Sequence, residues 1–249
     1  MAVSAIGTLS WVRESGGRLR LGEKLRFQTQ VMLATVSSLL PAGGDPLRVD
    51  LAAIHIPDST DVTRSIEMMD DELPHWLRNH CLRVYLWGSI LAQRDELRFD
   101  EELLFVSCAV HDLGAADTHR GKHGDVGCFA VEGAIAGDEL ARTLEWSPQR
   151  RDRLFEAVTL HINPAVPVEQ GAEAHLLAGG AALDVIGSRA TEIDVSTRAA
   201  IIEKHPRLGF KAQFSGRMAE EARARPHSRT RAVTQLGYPM MIRNAPFDD

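Results

Sequence analysis

A chain of 249 residues that is 44% hydrophobic and 25% charged can bury one sizeable core, which excludes a disordered or fibrous protein. Its net charge of −6 gives no whole-molecule attraction to nucleic acid or anionic lipid, and no run of about 18 apolar residues is present to cross a membrane. Cys81, Cys108 and Cys128 are odd in number and lack C-x-x-C spacing, so they read as reduced, buried thiols; with no signal-type apolar segment, a cytoplasmic protein with a small-molecule substrate is expected.

Glu23 to Leu40 carries apolar residues at helical spacing and stops at Pro41, which predicts a first amphipathic helix through which the chain could form a homo-oligomer. Ala42 to Ser65 mixes Gly, Pro and Asp and reads as an irregular connection, with a weak strand signal at Leu51 to Ile56. From Glu72 to Leu97 the pattern is strongly helical, and His80 shares a face with Val84, Trp87 and Leu91, so it points inward. The aromatic cluster Trp76, Tyr85 and Trp87 reads as core.

Asp100 is an N-cap followed by Glu101 and Glu102, and the apolar run behind it ends in Val110-His111-Asp112-Leu113-Gly114. An imidazole and a carboxylate side by side at the mouth of a buried helix are poor apolar packing but good ligation for a divalent metal. Asp117 to Gly127 is a polar loop in which His119 and His123 read as solvated. Val126 to Leu140 is helical, and Ser147-Pro148 opens a helix that brings His161 to the end of an inward face before Asn163-Pro164. Ala172 to Ile186 is an apolar helix in which Asp184 is the odd residue. Ser196 can cap a segment reaching Lys204, Phe210 to Arg225 forms a last long helix, and the Arg-rich run Arg217 to Arg231 reads as a solvated helix end and tail. The expected fold is all-α, a helical bundle with an N-terminal extension over 1–65, a central domain over 66–225 and a C-terminal tail over 226–249.

His80, then the pair His111 and Asp112, then Asp184, each on its own helix, resembles the HD-domain superfamily of metal-dependent hydrolases. Asn79 to Gly88, Phe129 to Gly133, Leu183 to Gly187 and Pro206-Arg207-Leu208-Gly209-Phe210 are most similar to its cyanamide hydratase-like members. The resemblance implies an HD-domain helical bundle in which His80, His111, Asp112 and Asp184 hold one divalent ion. Zn²⁺ and Fe²⁺ suit that donor set, with Mn²⁺ also admitted. It further implies that Asp112 and His161 take part in catalysis, His161 facing substrate or transferring a proton. Some relatives place a second-metal histidine where Phe129 stands, and phenylalanine cannot ligate, so a mononuclear site is expected.

The chemistry so implied is addition of metal-activated water to a small nitrile-type substrate, cyanamide to urea or a related reaction. Relatives often flank the Phe129 position with an arginine and an acid, whereas Cys128 and Ala130 stand here, which points to a different or less polar substrate. Two alternatives are an HD-type nucleotide phosphohydrolase, with Lys122, Arg120 and Arg83 as cations for the phosphate, and an HD protein that binds a ligand without turnover.

Overall fold

Apolar periodicity and capping residues set the helices. The computed structural model describes residues 4–38, 43–124 and 126–249. In chain order the helices are α1 (Leu9–Ser15), α2 (Leu21–Ser38), α3 (Thr60–Glu72), α4 (His75–Arg94), α5 (Glu101–Val110), α6 (Phe129–Thr143), α7 (Pro148–Leu160), α8 (Ala172–Ile186), α9 (Val195–Lys204), α10 (Phe210–Ala224), α11 (Arg229–Thr234) and α12 (Tyr238–Arg243). No strand occurs among the described residues, where one parallel bridge joins Leu47 to Ile193. The fold is all-α, as expected. Leu39, Leu40, Pro41 and Ala42 at the expected end of α2, and Asp125 in the polar loop, lie outside the described residues.

Two caps named from the sequence form as expected: the Asp100 carboxylate accepts from the Leu103 N–H, and the Ser147 hydroxyl from the Arg150 N–H ahead of Pro148. A third differs. Asp194, not Ser196, caps α9: its carboxylate accepts from the Ser196 N–H, which starts the helix two residues earlier. Two helices are additional to those expected: α1, capped by Thr8 and anchored by the buried Trp11, precedes the first expected helix, and α3, capped by Ser59, begins inside the stretch read as an irregular connection.

The centre is built from α4, α5, α7 and α8, with α6 on α7. Helices α4 and α8 approach closely. A Cβ on Gly180 would lie 2.5 Å from the Val84 carbonyl oxygen, and one on Gly88 would lie 3.2 Å from that of Leu176. These glycines let two backbones meet, which sets His80 of α4 beside Asp184 of α8. Gly180→Ala is therefore expected to force the helices apart and destabilise by about 1–3 kcal/mol, outweighing alanine's better helix propensity of about 1 kcal/mol. Gly216 of α10 meets nothing within 4 Å, so Gly216→Ala should stabilise. Urea unfolding of the two variants checks the opposite signs.

Part of the tail packs into the interior. Arg229 is fully buried, donating to the Thr159 carbonyl at 2.5 Å and to Asn163 Oδ1 at 2.9 Å, with its guanidinium over Trp11. Arg225 pairs with Glu132 and Glu221, and Phe247 stacks on Trp87. Long apolar stems and paired guanidinium heads let these arginines enter the interior, which charge counting alone does not foresee.

Candidate metal centre

Each imidazole at the centre is oriented from behind. His111, just past the C-terminus of α5, has Nδ1 2.7 Å from the Cys108 carbonyl, and His161, just past the end of α7, has Nδ1 2.6 Å from the Val158 carbonyl. A carbonyl only accepts, so both Nδ1 atoms carry the proton and both Nε2 atoms present a lone pair. His80 is fixed the same way by Asp184, whose Oδ2 lies 2.7 Å from His80 Nδ1. Phe210 stacks on the His80 ring with centroids 4.7 Å apart.

The three Nε2 atoms turn toward Asp112. Its Oδ2 is 3.4 Å from His80 Nε2 and 3.5 Å from His111 Nε2, and its Oδ1 is 3.5 Å from His161 Nε2. The Nε2 atoms of His80 and His111 are 3.3 Å apart. Asp112 is 1% exposed, and neither carboxylate oxygen has a hydrogen-bond partner among the described residues. A buried carboxylate without a donor costs about 1–3 kcal/mol or more, and facing lone pairs add repulsion. Both costs disappear when a cation sits among them. His80, His111 and Asp112 offer ligand atoms all within 4.8 Å of one another, so this donor set fits a divalent metal.

Asp184, expected as a fourth ligand, is not brought into that cluster. Its Oδ1 accepts from Arg83 Nε at 2.8 Å and Trp87 Nε1 at 2.9 Å, and its Oδ2 accepts from Arg83 Nη2 at 2.8 Å and from His80 Nδ1. The carboxylate therefore lies behind His80, on the opposite ring nitrogen from Asp112. Burial would raise its pKa, but the Arg83 charge and the hydrogen bonds from His80 and Arg83 hold it well below the ordinary carboxylate range. Arg207 of the Pro-Arg-x-Gly-Phe segment donates to the Asp184 backbone carbonyl at 3.0 Å, so that segment buttresses the same pair.

His161 lies beside the cluster, its Nε2 3.5 Å from Asp112 Oδ1. Burial, then the neighbouring His111, pushes it down to about 3, and burial also lowers His111, so both are neutral at pH 7. The three cysteines are free and buried. His119 and His123 differ from the solvated reading: His119 is 6% exposed, beside Glu72, and neither of its ring nitrogens has a hydrogen-bond partner among the described residues.

A cavity of about 360 Å³ opens on His80, His111, Asp112 and His161. Its walls include Tyr238, which sequence reasoning left in the tail; the only available signal was an aromatic between Gly237 and Pro239. The Tyr238 hydroxyl makes no hydrogen bond among the described residues. Burial and then the Asp112 charge raise its pKa, so it remains an O–H donor. Arg189 is the one cation among the described lining residues, and it is committed to Asp95 and Glu192.

Residues 77–183 match the HD domain family, a stretch that contains His80, His111, Asp112 and His161 and stops one residue short of Asp184. The chain is 27% identical over 186 residues to the cyanamide hydratases DDI2 and DDI3 of Saccharomyces cerevisiae, an alignment that covers 73% of this chain and 81% of each yeast protein.

Proposed function

Starting from an HD domain with these buried donors, we propose that the protein is a metal-dependent hydratase that adds water across the carbon–nitrogen triple bond of a small uncharged nitrile-type substrate, with cyanamide to urea as the reference reaction. The observation that carries this is the unpartnered Asp112 carboxylate facing three imidazole lone pairs. His80, His111 and Asp112 would hold the ion, Zn²⁺ or Fe²⁺, and Asp184 would keep the His80 proton on Nδ1. Such an ion, when bound, supplies Lewis acidity and lowers the pKa of water toward about 7.

The remaining work falls to the chain. His161 Nε2 would accept a proton from the attacking water as its oxygen bonds to the substrate carbon and one carbon–nitrogen π bond breaks, and would return it to the substrate nitrogen; the hydroxy-imine so formed shifts its remaining O–H proton to that nitrogen to give the amide, which is urea when the substrate is cyanamide. The Tyr238 O–H, on the cavity wall, would donate a hydrogen bond to that nitrogen as negative charge develops there. Tyr238→Phe is expected to lower kcat/KM by about 10²-fold, the usual effect of one such donor, with metal content unchanged. Steady-state kinetics alongside metal analysis check this.

The phosphohydrolase reading has less support. Arg83 is buried and locked on Asp184, Arg120 is paired with Glu220, and Arg83, Arg120 and Lys122 are all absent from the described cavity lining. Metal-reconstituted protein assayed for urea release from cyanamide and phosphate release from a nucleotide panel tests the proposal. Urea release supports it, phosphate release alone replaces it, and a metal-loaded but inert protein leaves a ligand-binding role.

A further inference from the structure

The size and lining of the cavity bear on which substrate this site takes. Cyanamide has three heavy atoms, whereas about 360 Å³ falls in the range of pockets that hold drug-sized ligands. Beyond the histidines and Asp112 the walls are largely apolar: Val31 and Ala34 from α2, Ala181 and Val185 from α8, and Phe214 and Met218 from α10. Val31, Ala34 and Thr35 lie on one face of α2, so the N-terminal helix forms part of the wall. The single lining cation is neutralised by two carboxylates, which disfavours an anionic ligand. An apolar wall of this extent beside a polar centre fits an amphipathic neutral molecule.

Resting on the hydratase reading, we infer that the physiological substrate is an uncharged nitrile or N-substituted cyanamide bearing an apolar substituent, its reactive end against His80, His111 and Asp112 and its apolar arm along α2, α8 and α10. Unsubstituted cyanamide would leave most of the cavity filled with water.

The test uses the full chain loaded with Zn²⁺ and two series. In the first, calorimetric titration with straight-chain primary amides from acetamide to hexanamide reads binding without turnover. Affinity should rise about threefold to fourfold per methylene, as expected for moving each CH₂ from water into an apolar wall. In the second, kcat/KM is compared between cyanamide and N-alkyl cyanamides, with the alkylated substrates expected to be at least tenfold better. Ala34→Phe, at a half-buried wall position, should abolish the chain-length dependence while leaving metal stoichiometry at the wild-type value. Flat amide affinity, or cyanamide as the best substrate, overturns the inference and leaves the hydratase reading standing. Rising amide affinity with no hydration of any nitrile overturns the hydratase reading and, with it, the nitrile assignment.

Discussion

Asp112→Asn is expected to stabilise the metal-free protein and to destabilise the metal-bound one. Without an ion, Asp112 is a buried carboxylate that no donor satisfies, facing three imidazole lone pairs. An amide of the same shape removes the charge and offers an N–H₂ group to those nitrogens, so the apo variant should gain about 1–3 kcal/mol. At about 2–4 °C of Tm per kcal/mol for a chain of this size, the rise is readily measured in EDTA. With Zn²⁺ at about a thousand times its Kd, wild type should gain about 4 kcal/mol from the metal and the variant little of it. The two Tm curves should therefore cross as metal is added. An apo variant no more stable than wild type, together with an equal metal-induced shift, would show that Asp112 is satisfied in some other way.

Arg83→Met is expected to be among the most destabilising single changes in the chain. It removes both guanidinium contacts to Asp184 at a site where both side chains are 0% exposed, leaving the buried charge with Trp87 and His80 as hydrogen-bond donors and Arg207 Nη1, 3.5 Å away, as its remaining cation; breaking a buried pair of this kind costs about 3–5 kcal/mol. The pH dependence follows from the depressed pKa of Asp184. A carboxylate held below its unfolded value of about 3.9 contributes stability that is present above that pH and is lost as pH falls through its folded pKa. The gap between wild type and variant should accordingly be widest near neutral pH and shrink in acid. Adding Asp184→Asn to Arg83→Met should recover part of the loss, since the underpaired buried charge is gone. Urea unfolding at several pH values reads all three effects.

Much of the centre was legible in the sequence because its parts obey local rules. Asp100 with Glu101 and Glu102 marks the start of α5, and the apolar run behind it delivers His111 and Asp112 to a buried helix end. His80 sits on the face shared with Val84, Trp87 and Leu91, all buried. What periodicity cannot supply is which atom meets which across the fold. Asp184 was correctly inward, yet whether it faces the Nε2 or the Nδ1 side of His80 depends on the Gly88 and Gly180 contact between α4 and α8 and on Arg83 claiming its oxygens. The tail was misread for a different reason. The α11 and α12 helices are six residues each, too short for a periodic signal, and Gly237 and Pro239 look like loop residues although they start α12. Tyr238 and the buried Arg229 were hidden with them.

The most direct measurement is a Co²⁺ titration of the metal-free protein, following the visible absorption of the bound ion, in wild type, His80→Ala, His111→Ala and Asp112→Asn. Wild type is expected to saturate at one ion per chain, and each variant to lose the absorption or bind at least tenfold more weakly while retaining its helical circular dichroism. Absence of a stoichiometric spectrum in wild type, or undiminished binding in the His111→Ala variant, would mean that these three buried groups share only protons and that the centre is not a metal site.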